Sequence, residues 1–504
     1  MRKQRIFAGA QAALACAPAA GILLVPVPSS AQVVGPLPPI SQPPNTVPLT
    51  PVEQLGKDIV FDITLSNPTG YACFTCHTPQ TGHASPLSSE VNAILGIPSG
   101  VVPGRFANRK PMTYAATAFC PIGPYYDATL GVYIGGNFWD GRVPDEAHQA
   151  EQPFIDANEM ANLSSNGVQD PVAGGYSALV VEKVMKRPYA KLFKKVYGKD
   201  VFSKYTTEQL YMIVTDAIAA YEASAEINPF NSKWDASKYG TPAQSLYTLS
   251  ASEERGRILY GIGPNPNNNP NFGKAQCFQC HTSMNLTDLQ FEVEGKEMFT
   301  MYCYANIGVP RNPNNPYYQN TDAATNPFGY NPLGTKYVDY GLGSNPNPAP
   351  DGTRFYDKIP GDILEFRGLF KAPSVRNSDM RPYPTFVRAY MHNGVFKSLE
   401  EVVHFYNKRN IAVGPNGNEV AFDLRTGPPA GYTRLLPPPE VLDNVQNVAG
   451  LTPAQAAAMG VSGVTATNGQ VGNLQLTDSQ EADLVNFLMI LTDGYTKPNP
   501  VNFP

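Results

Sequence analysis

The chain has 504 residues, and 37 lysines and arginines against 42 aspartates and glutamates give it a net charge of −5 at pH 7. This acidic balance, with no basic run after the first residues, argues against nucleic acid as a partner. The 49 prolines and 43 glycines are typical of a loop-rich protein with compact helical pieces rather than one long sheet. The length exceeds one ordinary hydrophobic core and predicts two domains.

The amino terminus has the order of a secretory signal. Basic residues precede an apolar run, which ends at the small residues of "SSAQ". We expect a signal peptide over residues 1–31, cleaved after Ala31, and a proline-rich linker over residues 32–48. Prolines interrupt the apolar run and no charged stop-transfer segment follows it, so we expect no membrane span once the signal, with Cys16, has been removed. The predicted location is the periplasm.

An internal repeat indicates the architecture. "LTPVEQLGKDIVF" near the start of the predicted mature chain aligns without a gap with "LSASEERGRILY" in its middle. Thr50 with Glu53, and Ser250 with Glu253, have the spacing of a capping box, in which each side chain caps the other residue's backbone N–H. Each copy is therefore predicted to open a helix.

The repeat predicts two homologous, mainly α-helical domains with long irregular loops. Gly56 and Gly256 stand at the same place in the two helices, where a side chain would block close packing. Amphipathic segments that begin near residues 206 and 476 are predicted to form the last helix of each half. We set the domains at residues 49–235 and 243–504.

The hexapeptides "ACFTCH" and "QCFQCH" follow the two opening helices. Two thiols two residues apart can add to the two vinyl groups of haem, and the histidine behind them can bind the iron. A zinc site would need four gathered nitrogen or sulfur ligands, and a thioredoxin-like pair would need a βαβ setting. The sequence therefore predicts two covalent c-type haems in cytochrome c-like domains. The residues are Cys73, Cys76 and His77 for the first, and Cys277, Cys280 and His281 for the second.

Two further cysteines, Cys120 and Cys303, remain in the predicted mature chain. In an oxidising compartment they could form a disulfide that joins the two halves, or they could be two buried free thiols. Both alternatives stay open at this point.

The stretch "GGNFWDGRVPDEAHQAEQPFIDANEM" resembles the segment after the first haem site in the bacterial di-haem cytochrome c peroxidase and MauG family. Trp139, Gln149, Pro153 and Glu159 match that family's pattern at the family's spacing. The resemblance implies that Glu159 is the acid/base that moves a proton between the oxygens of peroxide. It also implies that Gln149 donates to bound oxygen, that Pro153 shapes the pocket and that Trp139 carries electrons or holes between the haems.

The second half resembles the same family in "FKAPSVRN" and "YMHNGVFKSLEEVVHFYN". The family's spacing, counted from His392, gives Tyr406 as the second axial ligand of the second iron, where cytochrome c peroxidases have methionine and MauG has tyrosine. A phenolate favours oxidised iron, whereas a thioether favours reduced iron. Met380 and Met391 are rival ligands, and Tyr406 could instead be an amphipathic core residue.

Two more features of the family are a histidine that covers the first haem and a calcium ion between the domains. Classical members cover the resting first haem with a loop histidine, but this chain has none around Ala93, and His83 lies too near His77 in sequence to reach the opposite face. We therefore expect an open first haem. The family also holds a calcium ion between the domains, and Asn108 resembles its side-chain ligand.

The resemblance implies an oxidoreductase that reacts with hydrogen peroxide at the first haem, while electrons pass between the haems. Its electron donor would be a small periplasmic redox protein, a cytochrome c or a cupredoxin. One alternative is a MauG-like oxidase that uses high-valent haem iron to modify a protein or organic substrate. The other is a non-peroxidatic electron-transfer cytochrome or an oxygen-using haem enzyme. The segment 304–360, rich in Asn, Pro, Gly and Tyr, could shape a substrate or partner surface, or be a plain insertion.

Overall fold

The computed structural model describes most of the chain from residue 48 onward. The described residues are 48–128, 130–162, 177–239, 248–282, 292–293, 296–327, 329–344, 366–445 and 471–494. The predicted signal peptide, Cys16 and nearly all of the predicted linker lie outside them.

The described chain is mainly α-helical, as the sequence predicts. Its α-helices are α1 Pro51–Val60, α2 Cys73–Cys76, α3 Ser89–Ile94, α4 Glu146–Ile155, α5 Ala178–Met185, α6 Ala190–Tyr197, α7 Val201–Lys204, α8 Thr207–Ala223, α9 Lys233–Tyr239, α10 Ala251–Tyr260, α11 Leu399–Lys408 and α12 Asp478–Met489. The 3₁₀ turns are Ile63–Leu65, Pro79–Thr81, Thr117–Phe119, Pro266–Asn268, Cys277–Gln279, Pro316–Gln319, Gly334–Lys336 and Leu342–Ser344.

The strands are short and lie between the helices. They are β1 Tyr125–Asp127, β2 Val132–Ile134, β3 Glu292–Val293, β4 Lys296–Glu297, β5 Tyr304–Ala305, β6 Phe370–Lys371, β7 Ile411–Val413, β8 Glu419–Ala421 and β9 Thr433–Arg434. Antiparallel pairs form between β1 and β2, β3 and β4, and β5 and β6, and one three-stranded sheet has the order β8-β7-β9. Among the described helices, none is long and apolar enough to cross a membrane.

Both predicted capping boxes are present at the starts of α1 and α10. The backbone N–H of Thr50 donates to the Glu53 carboxylate at 2.6 Å, and the N–H of Glu53 donates to the Thr50 hydroxyl at 3.4 Å. Ser250 and Glu253 repeat this arrangement at 2.6 and 3.3 Å. These local signals account for the correct prediction of both helix starts.

Each opening helix packs against the closing helix of its half, α1 on α8 and α10 on α12. A Cβ built on Gly56 would lie 1.8 Å from the carbonyl oxygen of Ala217, and one built on Gly256 would lie 2.0 Å from that of Asp483. Real Cβ atoms do not approach an oxygen so closely. The two glycines therefore allow the same backbone contact in both halves, as the repeat predicts.

The buried apolar side chains form two main clusters, one in each half. Leu484, Phe487 and Leu488 form the core face of α12, and Leu491, just beyond its end, is buried as well. The larger cluster also contains Leu130, Val132, Ile134 and Trp234, which precede the second opening helix in sequence. The second core is thus built partly from residues of the first half, and the domain boundaries stay a prediction.

Candidate active site

A cavity in the first half is lined by the haem-attachment and motif residues that were identified from the sequence of that half. Its empty volume, counted to its open mouth, is about 1280 Å³. The lining includes the attachment residues and the motif residues together, namely Cys73, Cys76, His77, Trp139, Gln149, Pro153 and Glu159. Among its described lining residues, His77 is the only histidine. The open first haem stays a prediction.

Helix α4 presents one face to this cavity. Glu146, Gln149 and Pro153 all line it, at the three- and four-residue steps that place side chains on one side of a helix. The Asp145 side chain caps the helix by accepting from the backbone N–H of His148 at 3.1 Å. The spacing of the family motif is therefore a helical spacing, which explains why Gln149 and Pro153 reach the same space.

The ring of His77 is oriented by the backbone of a neighbouring loop. Its Nδ1 contacts the carbonyl oxygen of His83 at 2.9 Å, which leaves Nε2 as the ring nitrogen available to a metal. Burial lowers the pKa of His77 to about 4, so the imidazole is neutral at physiological pH. His83 lies beside His77 on this Nδ1 side, as the short separation in sequence predicts.

Glu159 is the most strongly perturbed acid that the sequence selects in this cavity. Burial of its carboxyl group, and then the nearby Asp156, raise the pKa of Glu159 to about 8, while Arg142 opposes the shift. A carboxyl group with a pKa near neutrality can both accept and return a proton. Glu159 therefore has the chemistry that an acid/base requires.

Two other acids line the same cavity and were missed by sequence reasoning. Burial raises the pKa of Glu222 well above its usual range and that of Glu146 as well, and the two carboxyl groups are hydrogen-bonded to each other. Glu146 also accepts from Thr117 and from Asn137, both at 2.7 Å. Glu222 lies near the end of the long helix α8, and nothing in its local sequence distinguishes it from a surface glutamate.

The asparagine-rich segment of the second half holds the loop that carries Glu159. The amide groups of Asn320 and Asn326 donate to the Asn158 side-chain oxygen at 3.2 and 2.7 Å, and the Asn158 amide donates to the Gly329 carbonyl at 3.0 Å. We call these residues the asparagine clamp. Because Asn158 directly precedes Glu159, the clamp sets the position of the acid.

A second cavity collects the attachment residues of the other half. Its empty volume, counted to its mouth, is about 1500 Å³, and Cys277, Cys280, His281 and Tyr406 all line it. Helix α11 contributes one face at helical spacing, made of Leu399, Val402, Val403 and Tyr406. Met391 lines the cavity too, whereas Met380 is not among its described lining residues.

The candidate iron ligands of the second cavity, His281 and Tyr406, are neutral. Burial lowers the pKa of His281 to about 4, and its ring lies close to the backbone of Phe299 and Pro373. Burial also raises the pKa of the Tyr406 hydroxyl, with the nearby Cys277 adding to the effect. A neutral imidazole and a neutral phenol thus stand in one apolar space.

Trp139 lines both cavities. Its indole N–H donates to the carbonyl oxygen of Lys110 at 3.0 Å, and its ring meets that of His392 edge to face at 6.3 Å. The preceding residue, Phe138, has a left-handed backbone with φ of 65°, which is strained for an aromatic residue. The strained turn, together with the indole hydrogen bond, holds Trp139 on the boundary between the cavities.

Asn108 lines the first cavity, but its surroundings do not fit a calcium ion. Its side-chain amide donates to the Tyr337 hydroxyl at 2.8 Å and lies 3.4 Å from the Asp339 carboxylate. Calcium takes six to eight oxygen ligands, whereas the Asp339 carboxylate is already bonded to Arg109. No cluster of three or more acidic, histidine or cysteine side chains suited to a metal occurs in the described residues.

Cys120 and Cys303 are free thiols, the second of the two alternatives left open by the sequence. The Cys120 sulfur donates to the Gly136 carbonyl at 3.3 Å and accepts from Lys371 at 3.4 Å. Burial raises the pKa of Cys303 to about 12, so it is a neutral thiol. The two residues contribute packing in this state rather than a covalent link between the halves.

The residues present fit covalently attached haem in the first cavity, and Cys277 and His281 fit it in the second, where Cys280 is not among the free thiols. Burial raises the pKa of Cys73, Cys76 and Cys277 to about 12, so they are neutral thiols in this structure. Each cavity also contains a half-buried, neutral histidine. Haem iron takes a neutral imidazole as its proximal ligand.

Comparisons with known proteins agree with this geometry. A family model described as di-haem cytochrome c peroxidase matches residues 51–242. The methylamine utilization protein MauG of Paracoccus denitrificans is 28% identical over 448 residues, which cover 88% of this chain and 89% of that protein. The cytochrome-c peroxidase IdrP1 of Denitromonas iodatirespirans is 26% identical over 381 residues, or 74% of this chain and 77% of that protein.

A solved structure has a similar fold along nearly the whole chain. The crystal structure of the diheme peroxidase BthA from Burkholderia thailandensis E264 superposes with a TM-score of 0.58 at 26% identity, and covers 94% of this chain and 95% of that one. The matched family model, the relatives and this fold agree with the motif residues around the first cavity. The chain is therefore an oxidoreductase whose residues 51–242 match the di-haem cytochrome c peroxidase family, and which is similar to MauG and to a di-haem peroxidase over most of its length.

Proposed function

We propose that this protein reacts with hydrogen peroxide in the first cavity and passes the oxidising equivalents to the second cavity through Trp139. One observation carries the proposal: the cavity of Cys73, Cys76 and His77 also contains Glu159 and Gln149, and it shares Trp139 with the second cavity. An electron carrier needs neither the acid nor the amide.

In this proposal the protein holds one c-type haem in each cavity. Cys73 and Cys76 would attach the first and His77 would bind its iron, while Cys277, Cys280 and His281 would do the same for the second. Bound there, the first haem would supply an iron centre that can give electrons to peroxide. Each half is then a cytochrome c-like domain, in agreement with the repeated helix packing of α1 on α8 and α10 on α12.

The polar residues of the first cavity have distinct roles. Glu159 takes the proton from the near oxygen of hydrogen peroxide and gives it to the far oxygen, so that the far oxygen departs as water when the O–O bond breaks. Gln149 lies on the cavity face of α4 and donates a hydrogen bond to the near oxygen. Pro153, one turn further on, limits the space above that oxygen.

The path between the cavities is aromatic. Trp139 borders both cavities, and its ring contacts His392, which stacks on Phe370 with the ring centroids 3.7 Å apart. An indole ring at this boundary can be oxidised and reduced in turn, which shortens the distance that an electron must cross in one step. Trp139 is therefore the proposed relay.

A decisive experiment is to add one equivalent of hydrogen peroxide to the fully oxidised holoprotein and record its visible and near-infrared spectrum within seconds. We expect an immediate change, because no histidine covers the first cavity in the described residues, and a much slower change in Glu159→Gln. Glu208→Gln, at an exposed position of α8, is the matched control and should react like the wild type. An unchanged spectrum even after half reduction would overturn the proposal.

A second candidate function is oxidation of a protein or organic substrate, as the name of the MauG relative suggests for methylamine utilization. Its specific support is Tyr406, which lines the second cavity on the same helical face as Val402 and Val403. A phenolate ligand would stabilise oxidised iron and favour a long-lived oxidised state. Slow decay of the oxidised spectrum without a donor, and rapid decay with a reduced cytochrome c or cupredoxin, would favour the peroxidase function.

The periplasm is the proposed location. The predicted signal over residues 1–31 supports export. The haem-attachment motifs support it too, because c-type haem is attached in the compartment to which the chain is exported. Mass spectrometry of the mature protein would test this by finding Gln32 at its amino terminus and the mass of two haems.

A further inference from the structure

Arg109 occupies the boundary between the two halves. Its side chain is buried, with 9% of the residue exposed. One nitrogen of the guanidinium lies 2.8 Å from the carboxylate of Asp140, which follows Trp139 in the first half. The other two nitrogens bind Asp339 of the second half in a two-point contact, both at 2.7 Å. One cation thus joins a carboxylate from each half.

The two carboxylates are further satisfied by groups of the chain itself. Arg142 donates to Asp140 at 3.0 Å, and the backbone N–H of Gly341 donates to Asp339 at 3.0 Å. The pair of carboxylates therefore meets two guanidinium groups and a backbone donor, and its charge is balanced. A divalent cation brought to the same place would be repelled by Arg109 and would find these oxygens already bonded.

The guanidinium also touches the aromatic path. Its central carbon lies 5.5 Å from the ring centre of Phe370, the residue that stacks on His392. Arg109 therefore lies between the two halves and close to Trp139, where a positive charge would influence the electrostatic environment of the indole ring. A guanidinium is permanently charged, and its planar fork suits two-point contact with a carboxylate.

We propose that Arg109, bonded to Asp140 and Asp339, is a cation built into the chain that joins its two halves, so that the boundary at Trp139 requires no calcium ion. This inference does not depend on the proposed reaction with peroxide. It replaces the expectation, drawn from the family resemblance, that Asn108 holds calcium there.

The test compares the holoprotein and its Arg109→Asn variant in millimolar EGTA and in millimolar calcium chloride. Wild-type protein is expected to retain no stoichiometric calcium by elemental analysis and to have the same unfolding temperature in both buffers. In Arg109→Asn, Asp140 and Asp339 lose the cation that they share but keep Arg142 and the Gly341 N–H, and an amide oxygen takes the place of the guanidinium. Its unfolding temperature should fall by several degrees in EGTA and recover in calcium.

Two further variants keep the test informative. Arg105→Asn, in the same segment but bonded to the carbonyl of Thr325, should show no calcium dependence. Arg109→Lys keeps the charge without the two-point contact, and it should be less stable than wild type but indifferent to calcium, even if Arg109→Asn does not fold. One calcium per wild-type chain, with loss of stability in EGTA, would overturn the proposal, and so would an Arg109→Lys that gains stability from calcium.

Discussion

The two cavities contain the same attachment motif and both have basic side chains in their lining, but they differ in their carboxylates. The first is lined by three glutamates, Glu146, Glu159 and Glu222, whereas the described lining of the second contains no carboxylate. The second has basic residues such as Lys371 and Arg388 beside an aliphatic wall from α11 and α12. Breaking peroxide requires a group that accepts and returns a proton, and in the proposed reaction Glu159 of the first cavity is that group.

The difference shows how a duplicated unit can be divided between two tasks. The glycine contact and the capping box are kept in both halves, because both must form the same pair of helices. The side chains on α4 and α11 differ, because α4 lines the first cavity and α11 the second, and these side chains set the chemistry in each cavity. The four predictions below alter this division, beginning with the largest expected effect.

Removing the acid should abolish the chemical difference between the cavities. Glu159→Gln keeps the size of the side chain but cannot accept a proton, and we expect the rate of reaction with hydrogen peroxide to fall by about 10²–10⁴-fold. Stopped-flow spectroscopy of the oxidised holoprotein measures this rate. Glu182→Gln, at an exposed position on α5, is the control, and a Glu159→Gln variant with the wild-type rate would assign the proton transfer to another group.

Replacing Tyr406 with methionine should raise the reduction potential of the second haem, so that it stores electrons more readily. In Tyr406→Met a thioether replaces the phenol, and we expect the reduction potential of the second haem to rise on the order of 0.1 V, because thioethers favour reduced iron. Potentiometric titration measures the shift. Tyr406→Phe distinguishes ligation from packing, since it keeps the ring, and potentials in both variants equal to the wild type's would mean that Tyr406 is not a ligand.

Filling the glycine contact should damage the two halves alike. Gly56→Ala and Gly256→Ala each force a methyl group against a carbonyl oxygen, and such overpacking costs about 1–3 kcal/mol of unfolding free energy. Urea unfolding of each variant measures the cost. Lys57→Ala, one position further along α1, changes a half-exposed side chain and should cost less, while a loss in only one half would show that the repeated contact is not equivalent.

The rate of reaction with hydrogen peroxide should depend on pH through Glu159 of the first cavity. Because the pKa of Glu159 is raised to about 8, its carboxylate, the form that accepts a proton, becomes scarcer as the pH falls below that value. The rate of reaction is therefore expected to fall about tenfold for each pH unit below about 8. A flat profile between pH 6 and 8 in the wild type would contradict this assignment; Glu159→Gln should be flat in any case.

The sequence predicts what is local and misses what depends on distant contacts. Both capping boxes follow from spacings of a few residues, and both are present. Gln149 and Pro153 were selected by the family resemblance, and their place on one face of α4 is visible only in the structure. Glu222 could not be selected, since only the packing of α8 places it beside Glu146. Asn108 was matched to a calcium ligand by the family resemblance alone. Its contacts with Tyr337 and Asp339 could not be predicted, because these partners lie more than two hundred residues away.

The asparagine clamp has a consequence for any attempt to separate the halves. A fragment that ended before the second opening helix would retain Cys73, Cys76, His77 and Glu159 in one polypeptide. It would nevertheless lack Asn320 and Asn326, so the loop that aims the acid would have no support. Such a fragment should behave as a simple monohaem cytochrome, since the loop beside the first cavity is supported by side chains from the second half.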